Sequence, residues 1–426
     1  MLFVTIQDIY LENLKILCKK INLQYNICMS KIYKAFMVEL DPNNKQVTKF
    51  KQNAGAARWA YNWALEQKKK ALNAKIKVPN YIELSRSLTE LRKTEITWSR
   101  QVSRKNLQLA IEDCDNAFNA FFKRYNKGFP GFRVKENKNQ NFKLANISPL
   151  QINGWIKLPK IGKVKLKEKD YLPLDSRILS VTVSSKANRW FASVLIEIEQ
   201  AELPKATTDI LGVDLGIKTL ATCSDGTSYS NPKPLKRYLK KLKKLNRQHS
   251  KKQKGSNNKE KSRIKLAKLH FKISNIRKDT LHKVTTSLIQ RANVLVIEDL
   301  SVSDMLKNKG LSLAISDIGF YEFRRQLEYK AKWYGRQVLV ADRYFPSSKT
   351  CSGCGNVKDK LLLSERTYNC EKCKLSIDRD LNAAINLKQL STDGLSGIYA
   401  CEDKLSKEKS QNNLSLKQES NLKLDN

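Results

Sequence analysis

Acid is scarce in this chain: Asp and Glu total 41 against 80 Lys and Arg, a formal charge of +39 over 426 residues. The imbalance makes nucleic acid the leading partner, because phosphate binding gains from counterion release. It selects a partner class and not an activity, since a ribosomal protein would satisfy it equally and a membrane-surface protein in part. Long apolar runs are lacking as well, so no window reads as a membrane span. A secretory signal is missing: the opening MLFVTIQDIYLENLKILCKK puts Asp8 and Glu12 where an uninterrupted apolar segment belongs. Cytoplasmic residence with reduced cysteines is the expectation. Cys18, Cys28, Cys114, Cys223 and Cys401 fall outside any motif and read as small hydrophobes.

What the chain does have is size and apolar content. Its 426 residues exceed one hydrophobic core and predict two to four domains, and 41% apolar residues suffice to pack them. The most specific pattern is Cys351-x-x-Cys354 and Cys370-x-x-Cys373, two pairs separated by fifteen residues. Each pair can turn two sulfurs toward one ion, as in a four-thiolate structural zinc site with no open position.

Residues 31–41, KIYKAFMVELD, alternate as a strand. A helical region follows, with Ala56, Trp59, Ala60 and Trp63 on one apolar face and Val102, Ala110, Cys114, Ala117, Phe118 and Phe121 on another. That spacing favours core packing over base stacking for the aromatics. The Gly128–Pro130–Gly131 cluster ends the helices. Residues 132–199 read mostly as β, with a hairpin of residues 179–185 and 190–198 about a polar turn. A linker over residues 202–208 leads to a strand ending in Asp214, a glycine turn and a second strand. Later, Val294-Leu-Val-Ile-Glu298 is an apolar run ending in acid, the pattern of a buried sheet strand.

Between these two strands lies a basic stretch. Lys233 to Lys283 holds 20 Lys/Arg against Glu260 and Asp279, a net of +18. Leu235, Leu239, Leu242 and Leu245 recur at helical spacing, and Gly255–Asn258 turns the chain into a second helix bearing Leu266, Leu269, Ile273 and Ile276. So much like charge repels itself unless phosphate neutralises it. Lys236, Arg237, Lys240, Lys241, Lys243, Lys244, Arg247, Lys251 and Lys252 are the candidate nucleic-acid contacts. A merely solvated helix face is the competing reading.

Asp214 and Glu298 both end apolar strands, where the sites of α/β sheets lie. A third acid comes from Asp378-Arg379-Asp380, just before the helix-like LNAAINLKQL run. Asp378 or Asp380 can serve, the other capping the helix, and spacing does not choose between them. Taken singly, each acid reads as a cap or a surface ion pair. Together, three carboxylates in so basic a protein point to hard cations. Two Mg²⁺ ions about 4 Å apart would activate water and stabilise the leaving 3′ oxygen of a phosphodiester.

The chain also resembles the TnpB proteins of bacterial transposons, long called OrfB transposases. The likeness rests on Gly212-Val-Asp214-Leu-Gly-Ile-Lys218, Val296-Ile-Glu298-Asp-Leu300, Gln326-Leu-Glu-Tyr-Lys-Ala331 and Ser347-Ser-Lys-Thr-Cys-Ser-Gly-Cys-Gly355. It continues through Cys370-x-x-Cys373 and Asp378-Arg-Asp-Leu-Asn-Ala-Ala-Ile-Asn386, spanning roughly residues 31–390 in family order. The resemblance implies an α/β multidomain protein with an RNase H-like (RuvC) nuclease core and an inserted zinc ribbon. Before these it implies a β-barrel-like wedge domain interrupted by a helical recognition domain. On this chain that division is 31–50 and 128–202 for the wedge, 51–127 for recognition, 208–346 and 374–392 for the nuclease, and 347–377 for the zinc insertion. Residues 1–30 are an N-terminal extension, or an overlong start upstream of Met29, and residues 393–426 a disordered tail.

The resemblance further implies an RNA-guided DNA endonuclease, related to type V CRISPR nucleases and working in the bacterial or archaeal nucleoid. Its partners would be a transposon-derived guide RNA and double-stranded target DNA cut beside a short flanking motif. It selects Asp380 over Asp378 and makes Asp214 and Glu298 its metal-binding companions. One departure is Lys374, where the family has Gly after the fourth zinc cysteine. If that knuckle needs positive φ, Lys costs about 1 kcal/mol there. A transposase or transposition regulator acting without a guide is the alternative function, and a catalytically idle nucleic-acid-binding regulator is a third.

Overall fold

The structure, a computed structural model, describes residues 31–123, 128–135, 140–145, 147, 154–173, 176–199, 206–362, 364–392 and 398–400. The expected extension at 1–30, Cys18, Cys28, Cys401 and most of the expected tail lie outside these residues.

The first half is a sheet with helices inserted into it. Strand β1 (Lys31–Asp41) is followed by α1 (Asn44–Asn73), α2 (Tyr81–Thr94) and α3 (Arg104–Phe122). Then come β2 (Asn141–Ala145), β3 (Trp155–Leu158), β4 (Gly162–Leu166), β5 (Arg177–Lys186) and β6 (Arg189–Glu199). The six strands lie in the order β2-β5-β6-β1-β4-β3. Helix α1 begins earlier than the expected boundary at 51. Asn43 and Gln46 form a reciprocal capping box that starts it at Asn44. The β5–β6 hairpin turns at Ala187 and Asn188, whose φ values of 51° and 63° suit the tight turn of a twisted hairpin. Phe50 of α1 packs on Phe142 and Trp190, so helices and sheet share one core. Trp59 and Trp63 lie half-buried against it, in keeping with a packing role.

The second half is an α/β layer. A meander of β7 (Thr208–Asp214), β8 (Thr219–Cys223) and β9 (Ser228–Ser230) is followed by α4 (Pro234–Ser250) and α5 (Asn257–Arg291). Next are β10 (Ala292–Ile297), α6 (Val302–Met305), α7 (Ser312–Ile318), α8 (Phe320–Tyr334) and β11 (Gln337–Ala341). The chain ends with β12 (Thr367–Asn369), β13 (Ser376–Asp378), α9 (Arg379–Thr392) and β14 (Ile398–Ala400). The sheet order is β14-β11-β10-β7-β8-β9, with β10 parallel to β7 and β11 and the other pairings antiparallel. Helices α5 and α8 cover one face and α9 the other. Within the expected disordered tail, Ile398–Ala400 pairs antiparallel with β11, satisfying an otherwise open sheet edge. Strand β13 pairs with β12 inside the cysteine-bearing loop, so that hairpin runs on to Asp378. Cys114 and Cys223 are buried, and burial pushes their thiols up to about 11 and about 12, as inert small hydrophobes should be. Among the described residues no helix is long and apolar enough to cross a membrane.

Candidate functional site

Alternation along two strands decides where the acids go. In β7, Leu211 and Val213 enter the core under α5 and α8, which leaves Ile210, Gly212 and Asp214 for the α9 face. In β10, Leu295 and Ile297 take the first face, and Val294 and Val296 the second. Val213 is in register with Ile297 in this parallel pair, which sets Asp214 beside Glu298 at the carboxyl edge.

Helix α9 supplies the third acid. It reaches β7 only because Gly212 has no side chain, since a Cβ there would fall 2.1 Å from the Ala384 carbonyl oxygen. At its start Asp378 is the cap: Oδ1 accepts the N–H groups of Asp380 at 2.9 Å and Leu381 at 3.0 Å. Asp380, in the first turn, is the acid whose charge bears on Asp214 and Glu298. Burial first, and then the charges of Glu298 and Asp380, hold Asp214 well above the usual carboxylate range. Glu298 is raised chiefly by burial, with Asp380 adding and Ser347 and Arg379 offsetting. Such crowding opposes full ionisation unless a cation compensates, and an all-oxygen donor set suits Mg²⁺.

Several residues that hold this arrangement lie within the motifs, although the sequence alone gives them no role. Ser347 Oγ donates to Glu298 Oε1, while its carbonyl accepts from Asn386 Nδ2 at 2.7 Å. Asn386 Nδ2 and Asn382 Nδ2 both reach the Thr350 carbonyl at 2.7 Å, and Asn382 Oδ1 accepts from the Ser352 N–H at 2.9 Å. The loop entering the first cysteine pair is thereby fastened to the helix that carries Asp380. The available signal was two asparagines four residues apart, Asn382 and Asn386, enclosing the apolar Ala383-Ala384-Ile385.

The four cysteines converge as their spacing predicts. Their Sγ atoms all lie within 4.8 Å of one another, Cys351 with Cys373 at 3.5 Å and Cys354 with Cys370 at 3.6 Å. Tetrahedral Zn–S bonds of about 2.3 Å place sulfurs roughly 3.8 Å apart, so the cluster fits zinc. Among the described residues it is the one group of three or more such ligands close enough for a single ion, so the carboxylates of Asp214, Glu298 and Asp380 do not converge to that distance. The Cys373 N–H donates to Cys370 Sγ at 3.5 Å and draws that thiol below its ordinary value. Both knuckles close on a left-handed residue, Gly355 at φ +73° and Lys374 at φ +63°. The position where Lys replaces Gly does require positive φ.

Helices α4 and α5 form the basic hairpin, joined by Leu242, Leu269 and Ile273 with Leu235, Tyr238, Leu245 and Leu266 alongside. Gly255, at φ +86°, lies in the turn. Lys236, Arg237, Lys240, Lys241, Lys243, Lys244, Arg247, Lys251 and Lys252 are all exposed. The far half of α5 is no arm, because Leu281, Val284, Leu288 and Ile289 belong to the sheet's core. Buried Asp317 fastens the hairpin base, accepting the Leu235 N–H at 2.8 Å and the Arg277 guanidinium at 2.9 Å.

Comparison with known proteins gives three family matches and several relatives. Residues 193–309 match a family described as “Probable transposase”, and residues 320–387 a “Cas12f1-like, TNB domain”. Residues 29–77 match a “Helix-turn-helix domain”, although here that stretch contains β1 and the single long helix α1. A Streptomyces pristinaespiralis protein named “Putative RNA-guided DNA endonuclease” is 38% identical over 362 residues, covering 84% of this chain and 89% of the relative. An Escherichia coli (strain K12) relative, with the same name and the suffix InsQ, is 33% identical over 370 residues, 83% of this chain and 91% of its own. Among solved structures, a chain of a Cas12f1–sgRNA–target DNA complex superposes with TM-score 0.52 at 18% identity, covering 81% of this chain and 82% of that one. At that identity the likeness concerns the fold alone.

Proposed function

The chain belongs to the TnpB family of transposon-encoded OrfB proteins, and from that premise we propose that it is an RNA-guided DNA endonuclease hydrolysing phosphodiesters with Mg²⁺. The carrying observation is that Asp214 and Glu298 leave adjacent parallel strands on one face, at the point where α9 delivers Asp380. In this reading the three carboxylates hold the cations, and Ser347 fixes the rotamer of Glu298. Mg²⁺ held there would supply the Lewis acidity needed to activate water and to stabilise the leaving 3′ oxygen. The cysteine cluster holds structural zinc and, through Asn382 and Asn386, keeps α9 in place. The sheet with its helical insertion is the wedge and recognition part, and the basic hairpin meets nucleic-acid backbone. The guide is an RNA from the transposon, and the target is double-stranded DNA.

Guide dependence decides between this and an unguided transposase. The protein is purified with and without the noncoding RNA encoded beside it and is offered matching and scrambled duplexes. Cleavage of the matching duplex alone, and only with RNA, is expected. Equal cleavage of both would reject guidance and favour an enzyme acting directly on element ends, and no cleavage at all would favour a binding regulator.

A further inference from the structure

A cavity of ≈ 400 Å³ opens at the carboxyl edge of the sheet, next to the acids. Leu215, Ile297, Leu300, Val302 and Phe320 give it apolar walls, and Glu298 borders it. One side is α8, which presents Tyr321, Arg324, Arg325 and Glu328 on successive turns. Tyr321 is 74% exposed, a large ring turned to solvent at the mouth of an apolar hollow.

Its charges do not suit a phosphate. Arg324 is paired with Asp299 at 2.7 Å and Glu328 at 2.9 Å, and Arg325 with Glu322 at 2.8 Å. With Asp299, Glu328 and Glu322 as their partners, the arginines meet acid already beside them. A volume of this order suits a ligand the size of a nucleotide. An apolar lining with an exposed aromatic ring and fixed polar groups at the rim suits a flat, uncharged heteroaromatic ring. In the nuclease reading the scissile phosphate lies over the cations held by Asp214 and Glu298, and a nucleobase next to it is such a group, because the cavity shares Glu298 with the acid cluster and Leu215 follows Asp214.

We propose that this cavity binds one unstacked nucleobase of the strand being cut, adjacent to the scissile phosphate, with Tyr321 stacking on it. The proposal rests on the nuclease reading and deepens it. A base paired within duplex has its faces covered, so the pocket takes a nucleotide only from an unwound strand, which couples cutting to strand separation.

The test first maps the cut by sequencing product ends. Targets are then made whose unpaired strand, the one not hybridised to guide, carries an abasic site on one or the other side of that bond. Single-turnover cleavage by the wild type should slow about tenfold for one of the two, within the range of base–aromatic stacking. Tyr321→Ala and the cavity-filling Val302→Trp should slow the intact target similarly and erase the difference between substrates. In an Asp380→Ala background, where nothing is cut, 2-aminopurine at the same position should be quenched on binding, and less so when Tyr321→Ala is added. Equal wild-type rates on intact and abasic targets, or identical 2-aminopurine signals with and without Tyr321, would overturn the pocket while leaving the nuclease reading intact. Failure of the wild type to cut intact target would instead sink the nuclease reading on which the pocket rests.

Discussion

No side chain fits between Gly212 and Ala384: a Cβ on Gly212 would sit 2.1 Å from the Ala384 carbonyl oxygen and 2.6 Å from the Lys388 nitrogen. The obstacle is backbone on a helix, so no rotamer change relieves it. Gly212→Ala should therefore lift α9 off β7 and carry Asp380 away from Asp214. We expect a stability loss of about 1–3 kcal/mol, in the range for overpacking. Cleavage should fall at least about a hundredfold, since small displacements of reacting groups are that costly. Melting and single-turnover cleavage measured together check this. Wild-type cleavage would mean that close contact of α9 with β7 is dispensable.

The two acids of the Asp378-Arg379-Asp380 segment should separate cleanly. Asp380→Ala is expected to abolish Mg²⁺-dependent cleavage with RNA and DNA binding largely kept, because the basic surfaces are untouched. Asp378→Ala should cost about 1 kcal/mol as a lost cap, and Asp378→Asn, which keeps an acceptor for the Asp380 and Leu381 N–H groups, should restore most of it. Near-normal cleavage by Asp380→Ala would return the metal role to Asp378.

Much of this was legible in advance because the signals are local. The bounds of β1 follow from alternation, the paired cysteines from their spacing, and the strand-end acids from apolar runs that stop at a carboxylate. The capping box at Asn43 and Gln46 was equally local and would have placed the start of α1 at Asn44. What stayed hidden depends on chain segments meeting. Ser347 touches Glu298 across 49 residues of sequence, and Asp317 caps α4 from 82 residues away. Neither pairing leaves a periodicity to read. The choice between Asp378 and Asp380, open on spacing, turns on which carboxylate takes the helix N–H groups.

Lys374 sits at φ +63°, a conformation glycine adopts without a Cβ penalty. Lys374→Gly should stabilise the zinc knuckle by about 1 kcal/mol. Purified protein is expected to carry one Zn²⁺, released more slowly to a chelator in Lys374→Gly than in the wild type. Absence of tightly bound Zn²⁺, or full occupancy after joint loss of Cys370 and Cys373, would sink the four-thiolate assignment.

Lys330 is 5% exposed and donates to three neutral acceptors, the His282 carbonyl at 2.9 Å and the Thr285 and Thr286 hydroxyls at 2.7 Å each. Burial lowers its pKa to about 8. The unfolded chain then binds more protons than the folded one between about pH 8 and 10.5, so this lysine's unfavourable contribution diminishes as pH rises through that window. Lys330→Met should be as stable as the wild type or more so at pH 7, with the wild type gaining relative to it toward pH 10. A stability difference that stays flat with pH would show that Lys330 is not depressed in the fold.

The exposed lysines of α4 offer the last test, because removing them leaves the hairpin's own packing alone. Leu242, Leu269 and Ile273 join α4 to α5, whereas Lys240, Lys241, Lys243 and Lys244 point to solvent. Neutralising all four to Gln should leave melting nearly unchanged. Nucleic-acid affinity should fall for every sequence alike, since phosphate contacts carry no sequence information. The slope of log affinity against log salt should flatten by roughly one unit per lost phosphate contact. If these lysines only solubilise the hairpin, affinity and slope stay as they were and solubility drops instead. Titration of the four-site variant at two salt concentrations, beside a melting curve, separates a backbone-contacting helix from a solvated one.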